Sequence, residues 1–258
     1  MRTAGQIAGQ VMEEILSAIN PGIATMELDA LAEKLILQAG GFPSFKSVPG
    51  WDWATCININ EGVVHGVPSG RVLREGDVAS VDLGVYYQGF HSDTAWTKIV
   101  QSSKLNPSAG SGLTLSGVER VKAQNSISKE KFLKAGCDAL ERAIGKCQVG
   151  NRVGDVSAVI QKTVEKAGLN VVRDYTGHGI GRELHEPPAI PCFGRSKAGE
   201  VLVAGMVLAI EVIYMSGNYK LKILKDGWTA VTEDGKIAGL FEKTVAIYKN
   251  GPQVLTNY

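Results

Sequence analysis

The sequence has little that would favour a nucleic-acid-binding, membrane or disulfide-stabilised secreted protein. Its 27 lysine and arginine residues nearly balance its 26 aspartate and glutamate residues, so a net charge of +1 creates no field that attracts nucleic acid or anionic lipid. No apolar run approaches the roughly 20 residues of a transmembrane helix, and the first ten residues lack the apolar segment of a secretory signal. Cys56, Cys137, Cys147 and Cys192 show no CxxC spacing, which is typical of reduced thiols. We therefore expect a cytoplasmic globular protein that has neither a membrane nor a nucleic acid substrate as a partner.

Four acidic residues interrupt segments whose apolar and β-branched residues otherwise predict strands. Acidic side chains are depleted in strands and are rarely fully buried unless a partner neutralises them. An isolated buried carboxylate is so costly that it becomes protonated, forms an ion pair or binds a metal. Few cations in the sequence could serve all four acids, which favours a shared multivalent ion. The four residues are Asp82, Asp93, Glu211 and Glu242.

Hydrophobic periodicity predicts helices followed by hairpin strands, and this happens twice along the chain. This order of elements predicts an α+β protein rather than an alternating α/β protein. Thr25 is a candidate cap for the second helix, and the short link at 87–89 predicts a hairpin that sets Asp82 nearly opposite Asp93. We expect helices at about 3–19, 26–38, 129–144 and 154–167, and strands at 55–60, 77–87, 90–100, 171–175, 206–214, 219–224, 228–232 and 240–248.

The two parts of the chain resemble each other in pattern. A shift of 128 residues superposes the second helix of each part, and a shift of 129 puts Asp82 on Glu211. We therefore expect one catalytic domain, residues 1–258, made of two pseudo-symmetric halves at about 1–125 and 126–258. Residues 101–128, rich in serine, glycine and lysine, read as a loop insertion on the surface.

Three of the four histidines lie in loops of small residues. His178 stands between glycines in a Gly-His-Gly string, His185 follows seven residues later, and His65 lies in a loop bounded by glycine and proline. A histidine by itself is more often structural than a ligand. Glycines beside it allow a ligand to approach the backbone closely, so these three are candidate site residues, whereas His91 is expected to be structural or supporting.

Four carboxylates and one imidazole suit a hard or borderline divalent ion such as Mn(II), Fe(II), Co(II) or Zn(II). Five such ligands exceed what one catalytic ion needs. Two ions about 3.5–4 Å apart, bridged by some of the carboxylates, would use all of them. The sequence therefore predicts a dinuclear centre.

The ligand order and four local strings resemble those of the methionine aminopeptidases, pita-bread metallopeptidases of family M24. The long insert of the second type would fall between His185 and Glu211, where only 25 residues lie, so the chain is similar to the first type. The resemblance implies a pita-bread fold and removal of initiator methionine from nascent polypeptides, with a small second residue preferred. The strings are NINEGVVHGVP (58–68), GFHSDT (89–94), GHGIGRELHE (177–186) and KDGWT (225–229).

The resemblance also implies a role for each ligand. Asp82 would chelate one metal, Asp93 and Glu242 would bridge both, and His178 and Glu211 would complete the other shell. Glu211 would in addition accept a proton from the attacking water.

The resemblance extends to substrate binding and to partners. His185 would steady the scissile carbonyl and His65 would contact the amine end of the substrate. The walls of the methionine pocket would be Cys56, Trp51, Leu184 and Trp228. A monomer that contacts the ribosome transiently is a further expectation.

Several positions depart from the family pattern. Leu184 replaces a usual aromatic residue, Trp51 replaces a common tyrosine, and Val212-Ile213 replaces a frequent Pro-Met pair. Residues 101–128 are about twenty residues longer than the resemblance implies.

Two alternatives share the fold. An Xaa-Pro aminopeptidase or dipeptidase has the same ligand set but usually a separate N-terminal domain. An inactive binding module tends to lose ligands, whereas all five are present here.

Overall fold

Amphipathic segments form a pair of helices at the start of each half. The computed structural model describes residues 1–102 and 127–258. In this part of the chain, the helices are α1 (Arg2–Ala18), α2 (Thr25–Gln38), α3 (Lys129–Ile144) and α4 (Val153–Lys166). None of these helices combines the length and the apolar character that spanning a bilayer requires.

The predicted cap of α2 is wrong. Thr25 is already helical, and its hydroxyl donates to the carbonyl of Ser69 at 2.9 Å. The free N–H of Ala24 donates instead to the carboxylate of Glu27 at 2.7 Å, because a glutamate three residues into a helix reaches back to the cap position.

The strands of the described residues are β1 (Phe42–Pro43), β2 (Thr55–Ile59), β3 (Gly62–Val64), β4 (Val78–Tyr87), β5 (Phe90–Ile99), β6 (Asn170–Val171), β7 (Thr176–Gly179), β8 (Glu186–Pro191), β9 (Val207–Met215), β10 (Leu221–Ile223), β11 (Ala230–Thr232), β12 (Ala238–Tyr248) and β13 (Gly251–Val254). They form one ten-stranded antiparallel sheet and one three-stranded sheet. The larger sheet has the order β1-β4-β5-β12-β9-β7-β8, with β2 on β4, β6 on β9 and β13 on β12, and the smaller has the order β10-β11-β3.

The β4–β5 hairpin fixes how the first two acids relate. Gln88 and Gly89 both have positive φ (47° and 86°), as a two-residue type I′ turn requires. Asp82 therefore pairs with Ala95, and Asp93 pairs with Gly84. The two aspartates, expected nearly opposite each other, are offset by two residues in the pairing. They share one face of the sheet as diagonal neighbours, because side chains alternate with a period of two.

The helices cover the other face of the sheet. Helices α1 and α2 bury Met12, Ile15 and Ile36 with residues of β4, and α3 and α4 form a second core with β9 and β12. In the second core Phe132 stacks on Tyr214, whose hydroxyl donates to the Phe132 carbonyl at 2.8 Å. The apolar layer beneath the sheet leaves its open face free for polar chemistry.

The two halves share local features at the predicted offset. Isolated bridges join Ala24 to Val72 and Arg152 to Val201, at offsets of 128 and 129 residues. This match supports our proposal of one domain with two pseudo-symmetric halves, about 1–125 and 126–258. Of the predicted insertion at 101–128, residues 103–126 lie outside the described residues.

Candidate metal centre

Five neighbouring strands each bring one of the predicted metal ligands to the same face of the sheet. Across the order β4-β5-β12-β9-β7 the ligands run Asp82, Asp93, Glu242, Glu211 and His178. Glu242 pairs directly with Glu211. Asp93 lies two residues from Ala95, the partner of Glu242, and His178 pairs with Ala209, which lies two residues from Glu211. The sheet itself therefore gathers side chains that are up to 160 residues apart in the chain.

Three of these side chains come close enough to share an ion. Asp93, His178 and Glu242 each offer a ligand atom, and the three atoms lie within 4.8 Å of one another. His178 Nε2 lies 3.7 Å from Glu211 Oε1. His178 Nδ1 lies 2.8 Å from the Gly179 carbonyl, so an N–H there donates to that oxygen and Nε2 keeps its lone pair for a metal.

In residues 1–102 and 127–258, no lysine or arginine side chain neutralises the four carboxylates, since none forms an ion pair with any of them. Lys243 follows Glu242 and therefore points to the opposite face, where its ammonium donates to the Thr256 carbonyl at 2.7 Å. The neutralising charge has to come from somewhere other than these side chains.

Burial changes the titration of every group in the cluster. Desolvation raises the pKa of Asp82 to about 7. Burial, and after it repulsion from neighbouring carboxylates, holds the pKa values of Asp93, Glu211 and Glu242 well above their usual range. Burial lowers the pKa of His178 to about 4, so its imidazole is neutral at pH 7 and able to bind a metal.

The residues fit a divalent metal. Asp82 Oδ1 and Glu242 Oε1 are buried and have no hydrogen-bond partner. A buried carboxylate oxygen without a partner is costly, and a bound cation would remove that cost. The donor set of carboxylates and one neutral imidazole matches hard or borderline divalent ions.

A single cavity of about 450 Å³ contains all the predicted site residues. Its floor is the carboxylate cluster and its walls are largely apolar, which is the usual construction of a small-molecule or peptide-end site. The predicted residues that line it are Asp82, Asp93, His178, Glu211, Glu242, His65, His185, Cys56, Trp51, Leu184 and Trp228.

The two further histidines lie on the cavity wall. The ring centroid of His185 is 4.5 Å from that of His178, and His65 packs edge-on against Tyr175 at 5.3 Å. Burial lowers the pKa of both His65 and His185, so each offers a neutral imidazole. The positive φ of His65 (55°) turns the chain at this point, although a side chain disfavours that conformation.

An apolar corner adjoins the carboxylates. Trp51 lies edge-on to Trp228, with ring centroids 5.4 Å apart, and packs in one cluster with Cys56 and Leu184. Cys56 stands opposite Asp82 in the β2–β4 pair, so the apolar corner begins directly beside the ligands.

Sequence reasoning missed several residues of this cavity. Phe45 lines it from a 3₁₀ helix at Ser44–Ser47, and Tyr175 lines it from the loop before β7. An aromatic residue in a loop has no pattern that separates a wall residue from ordinary core. His91 contacts Ser44 Oγ at 2.9 Å and does not line the cavity, as expected for a structural residue.

The sequence matches the model of metallopeptidase family M24 over residues 1–248. The chain belongs to this family.

Two relatives that match nearly the whole chain are both named methionine aminopeptidase. A methionine aminopeptidase of Clostridium perfringens is 43% identical over 256 residues, which cover 99% of this chain and 94% of that protein. Methionine aminopeptidase 1 of Bacillus subtilis is 39% identical with the same coverage. The predicted resemblance to the M24 methionine aminopeptidases is confirmed, and membership of a metallopeptidase family implies a divalent metal cofactor.

Solved structures confirm the predicted fold. A methionine aminopeptidase from Thermotoga maritima superposes with a TM-score of 0.87 at 39% identity, covering 100% of this chain and 95% of that one. A prolidase from Pyrococcus furiosus has a TM-score of 0.71 at 23% identity, and the match covers only 62% of its length. The M24 chain therefore has the α+β pita-bread fold. At 23% identity, the likeness to the prolidase shows only that the two proteins share this fold.

Proposed function

We propose that this M24 chain is a methionine aminopeptidase of the first type, which removes the initiator methionine from polypeptides. The observation that carries the proposal is the cluster of five ligand residues beside an apolar corner of the right chemistry for a methionine side chain. The near full-length relatives named methionine aminopeptidase support the same substrate.

We propose that the centre holds two divalent ions, chosen from Co, Mn, Fe and Zn. Asp82 would chelate one ion, Asp93 and Glu242 would hold both, and His178 and Glu211 would be the remaining direct ligands of the other ion. The partnerless oxygens of Asp82 and Glu242 support this assignment. When bound, such ions supply Lewis-acid polarisation of a carbonyl and make water more acidic at neutral pH.

The protein side chains would handle the proton and the substrate. Glu211, whose carboxylate lies 3.7 Å from His178 Nε2, would take the proton of the attacking water. The ring centroid of His185 lies 4.5 Å from that of His178, and burial keeps this imidazole neutral. His185 would donate a hydrogen bond to the scissile carbonyl oxygen as negative charge develops on it. His65 would contact the amine end of the substrate and assist proton transfer.

The apolar corner would hold the methionine side chain. Trp51, Trp228, Cys56 and Leu184 form walls that exclude water, and the carboxylates beside Cys56 would attract the positively charged α-amine of the substrate. An enzyme that binds a free amine next to its metals cuts only the first peptide bond. The second residue of a preferred substrate, which follows that bond, would be small.

The proposed setting is the cytoplasm, where nascent polypeptide N-termini are the substrates. We propose that the protein acts as a monomer and contacts the ribosome transiently while it processes new chains.

Two other functions make different predictions. An Xaa-Pro aminopeptidase or dipeptidase of the same fold would cleave Xaa-Pro peptides, and an inactive binding module would cleave neither substrate. The decisive assay compares cleavage of Met-Ala-Ser and Xaa-Pro peptides by metal-stripped protein that is reloaded with each candidate ion. Cleavage restricted to the Met peptide supports the proposal, and cleavage restricted to Xaa-Pro peptides overturns it.

Removing a proposed bridging ligand tests the metal centre. We expect Asp93→Ala to lower cleavage of Met-Ala-Ser below detection and to lower the number of bound ions, because one side chain would serve both. Elemental analysis beside the peptide assay measures both effects. Near-wild-type turnover in this variant would contradict the two-ion assignment.

A further inference from the structure

The centre of the main sheet is joined by threonine hydroxyls as well as by main-chain bonds. Strands β5 and β12 pair directly only at Ala95–Glu242 and Thr94–Lys243. If this register is continued in both directions, Asp93 stands opposite Thr244 and Thr97 stands opposite Leu240. At both of these positions a threonine side chain bonds to the facing main chain.

The Thr244 hydroxyl holds both main-chain polar groups of Asp93. It accepts a hydrogen bond from the Asp93 N–H at 2.9 Å and donates one to the Asp93 carbonyl at 2.7 Å. Thr244 is completely buried and Asp93 is 4% exposed, so water has little access to replace these bonds. The Asp93 carboxylate is fixed in addition by the N–H of Thr94, which donates to Oδ1 at 3.0 Å.

The last residues of the chain hold Thr244 in place from its other edge. The Thr244 N–H donates to the Thr256 hydroxyl at 3.1 Å, and the Thr244 carbonyl accepts from the Leu255 N–H at 2.8 Å. The Lys243 ammonium donates to the Thr256 carbonyl at 2.7 Å. A continuous set of hydrogen bonds therefore runs from the C-terminal segment through Thr244 to Asp93.

We infer that Thr244 is a positioning residue of the metal centre, acting through Asp93. Its hydroxyl sets the main chain from which the Asp93 carboxylate projects, and groups that orient a metal ligand strongly affect metal affinity. The inference rests on the proposed function only because it takes Asp93 to be a metal ligand.

Thr97 provides a matched control within the same sheet. Its hydroxyl donates to the Leu240 carbonyl at 2.7 Å and accepts from the Leu240 N–H at 2.9 Å. Its two main-chain bonds match those of Thr244, and its hydroxyl also contacts Ser80 Oγ at 2.8 Å. The residue held is apolar and does not line the cavity. If such hydroxyls have only a structural role, removing the one at Thr244 and removing the one at Thr97 should change metal affinity equally.

The experiment measures Mn(II) binding to metal-stripped full-length protein by calorimetry, with circular dichroism to verify folding. Thr244→Val keeps the branched shape and removes the hydroxyl, and we expect it to weaken Mn(II) binding by about tenfold or more. Thr97→Val should bind within about threefold of the wild type. Thr244→Ser, which restores a hydroxyl, should bind nearly as the wild type does.

Three outcomes overturn the inference: Thr244→Val binds Mn(II) as tightly as the wild type, Thr97→Val weakens binding as much as Thr244→Val does, or Thr244→Ser binds as weakly as Thr244→Val. If the valine variant does not fold, Thr244→Ala is judged by the same criteria. A wild-type protein that binds no divalent ion refutes the metal centre itself, and the inference falls with it.

Discussion

Metal-free protein should lose stability as the pH rises, because its buried carboxylates then ionise without a neutralising charge. Burial raises the pKa of Asp82 from 3.8 to about 7. Between these values the folded protein keeps a proton on Asp82 that the unfolded chain has released, so the free energy of unfolding falls as the pH rises through this range. At about 1.4 kcal/mol per pH unit, Asp82 alone accounts for a loss on the order of 4 kcal/mol.

The other three acids act in the same direction. Burial and mutual repulsion raise the pKa values of Asp93, Glu211 and Glu242. Loss of the proton from any of these side chains therefore also lowers the free energy of unfolding. A divalent metal should make the free energy of unfolding rise with pH instead of falling. The ion binds the deprotonated carboxylates, and it binds the folded protein better than the unfolded chain.

Urea denaturation of chelator-treated protein at about pH 5 and about pH 8 measures the effect as a change in the free energy of unfolding. The control is Asp82→Asn, which keeps the shape of the side chain and cannot ionise, so its stability should fall less with pH than that of the wild type. The same pair of measurements with Mn(II) present should show the opposite slope. Two results would contradict an unneutralised carboxylate cluster. One is a metal-free wild type that is as stable at the higher pH as at the lower pH. The other is an Asp82→Asn variant whose stability falls with pH as steeply as that of the wild type.

Three substitutions test other parts of the molecule. His185→Ala should lower kcat for a Met peptide by about 10²- to 10³-fold with the bound metal unchanged, because a donor to the developing oxyanion is lost. Trp228→Ala should raise KM at least about tenfold with a smaller change in kcat, because a wall of the proposed methionine site is removed. Gly136→Ala should lower the free energy of unfolding by about 1–3 kcal/mol in urea, because the added methyl group meets the rings of Phe241 and Tyr214.

Each of these substitutions has an outcome that contradicts its reasoning. Loss of metal from His185→Ala would make that histidine a ligand rather than a donor to the substrate. An unchanged KM in Trp228→Ala would remove this residue from the methionine site. Gly136→Ala with wild-type stability would mean that α3 can move away from the sheet at no cost, and Gly145→Ala, where the added methyl group meets only helix carbonyls at 3.5 Å or more, is the matched control.

The metal ligands could be predicted because each breaks a local rule. Asp82 and Glu211 interrupt apolar strands, where a carboxylate is costly, and His178 lies between two glycines, which are depleted in strands. Such anomalies depend only on neighbouring residues, so sequence alone reveals them. Their roles as bridging or terminal ligands came from the resemblance and remain predictions.

The register and the small elements could not be predicted in the same way. A two-residue turn at Gln88 and Gly89, rather than a three-residue link, moves the pairing and places Asp93 two residues from the partner of Asp82. Strands β3 and β8 are short or rich in proline, and they form because longer strands lie beside them in the fold. Thr244 likewise has no sequence signal, since its role depends on a strand 151 residues away.

The position of the centre in the sheet gives the bound metal a structural consequence. Strands β4 and β5 pair at ten positions and β9 and β12 at nine, but β5 and β12, which join the two halves, pair directly at only two. Asp93 and Glu242 are diagonal neighbours across this weakly paired junction, where their charges repel. An ion that both of them bind would replace that repulsion with a shared attraction. Metal binding and association of the two proposed halves would therefore be coupled, and the free energy of one would contribute to the other.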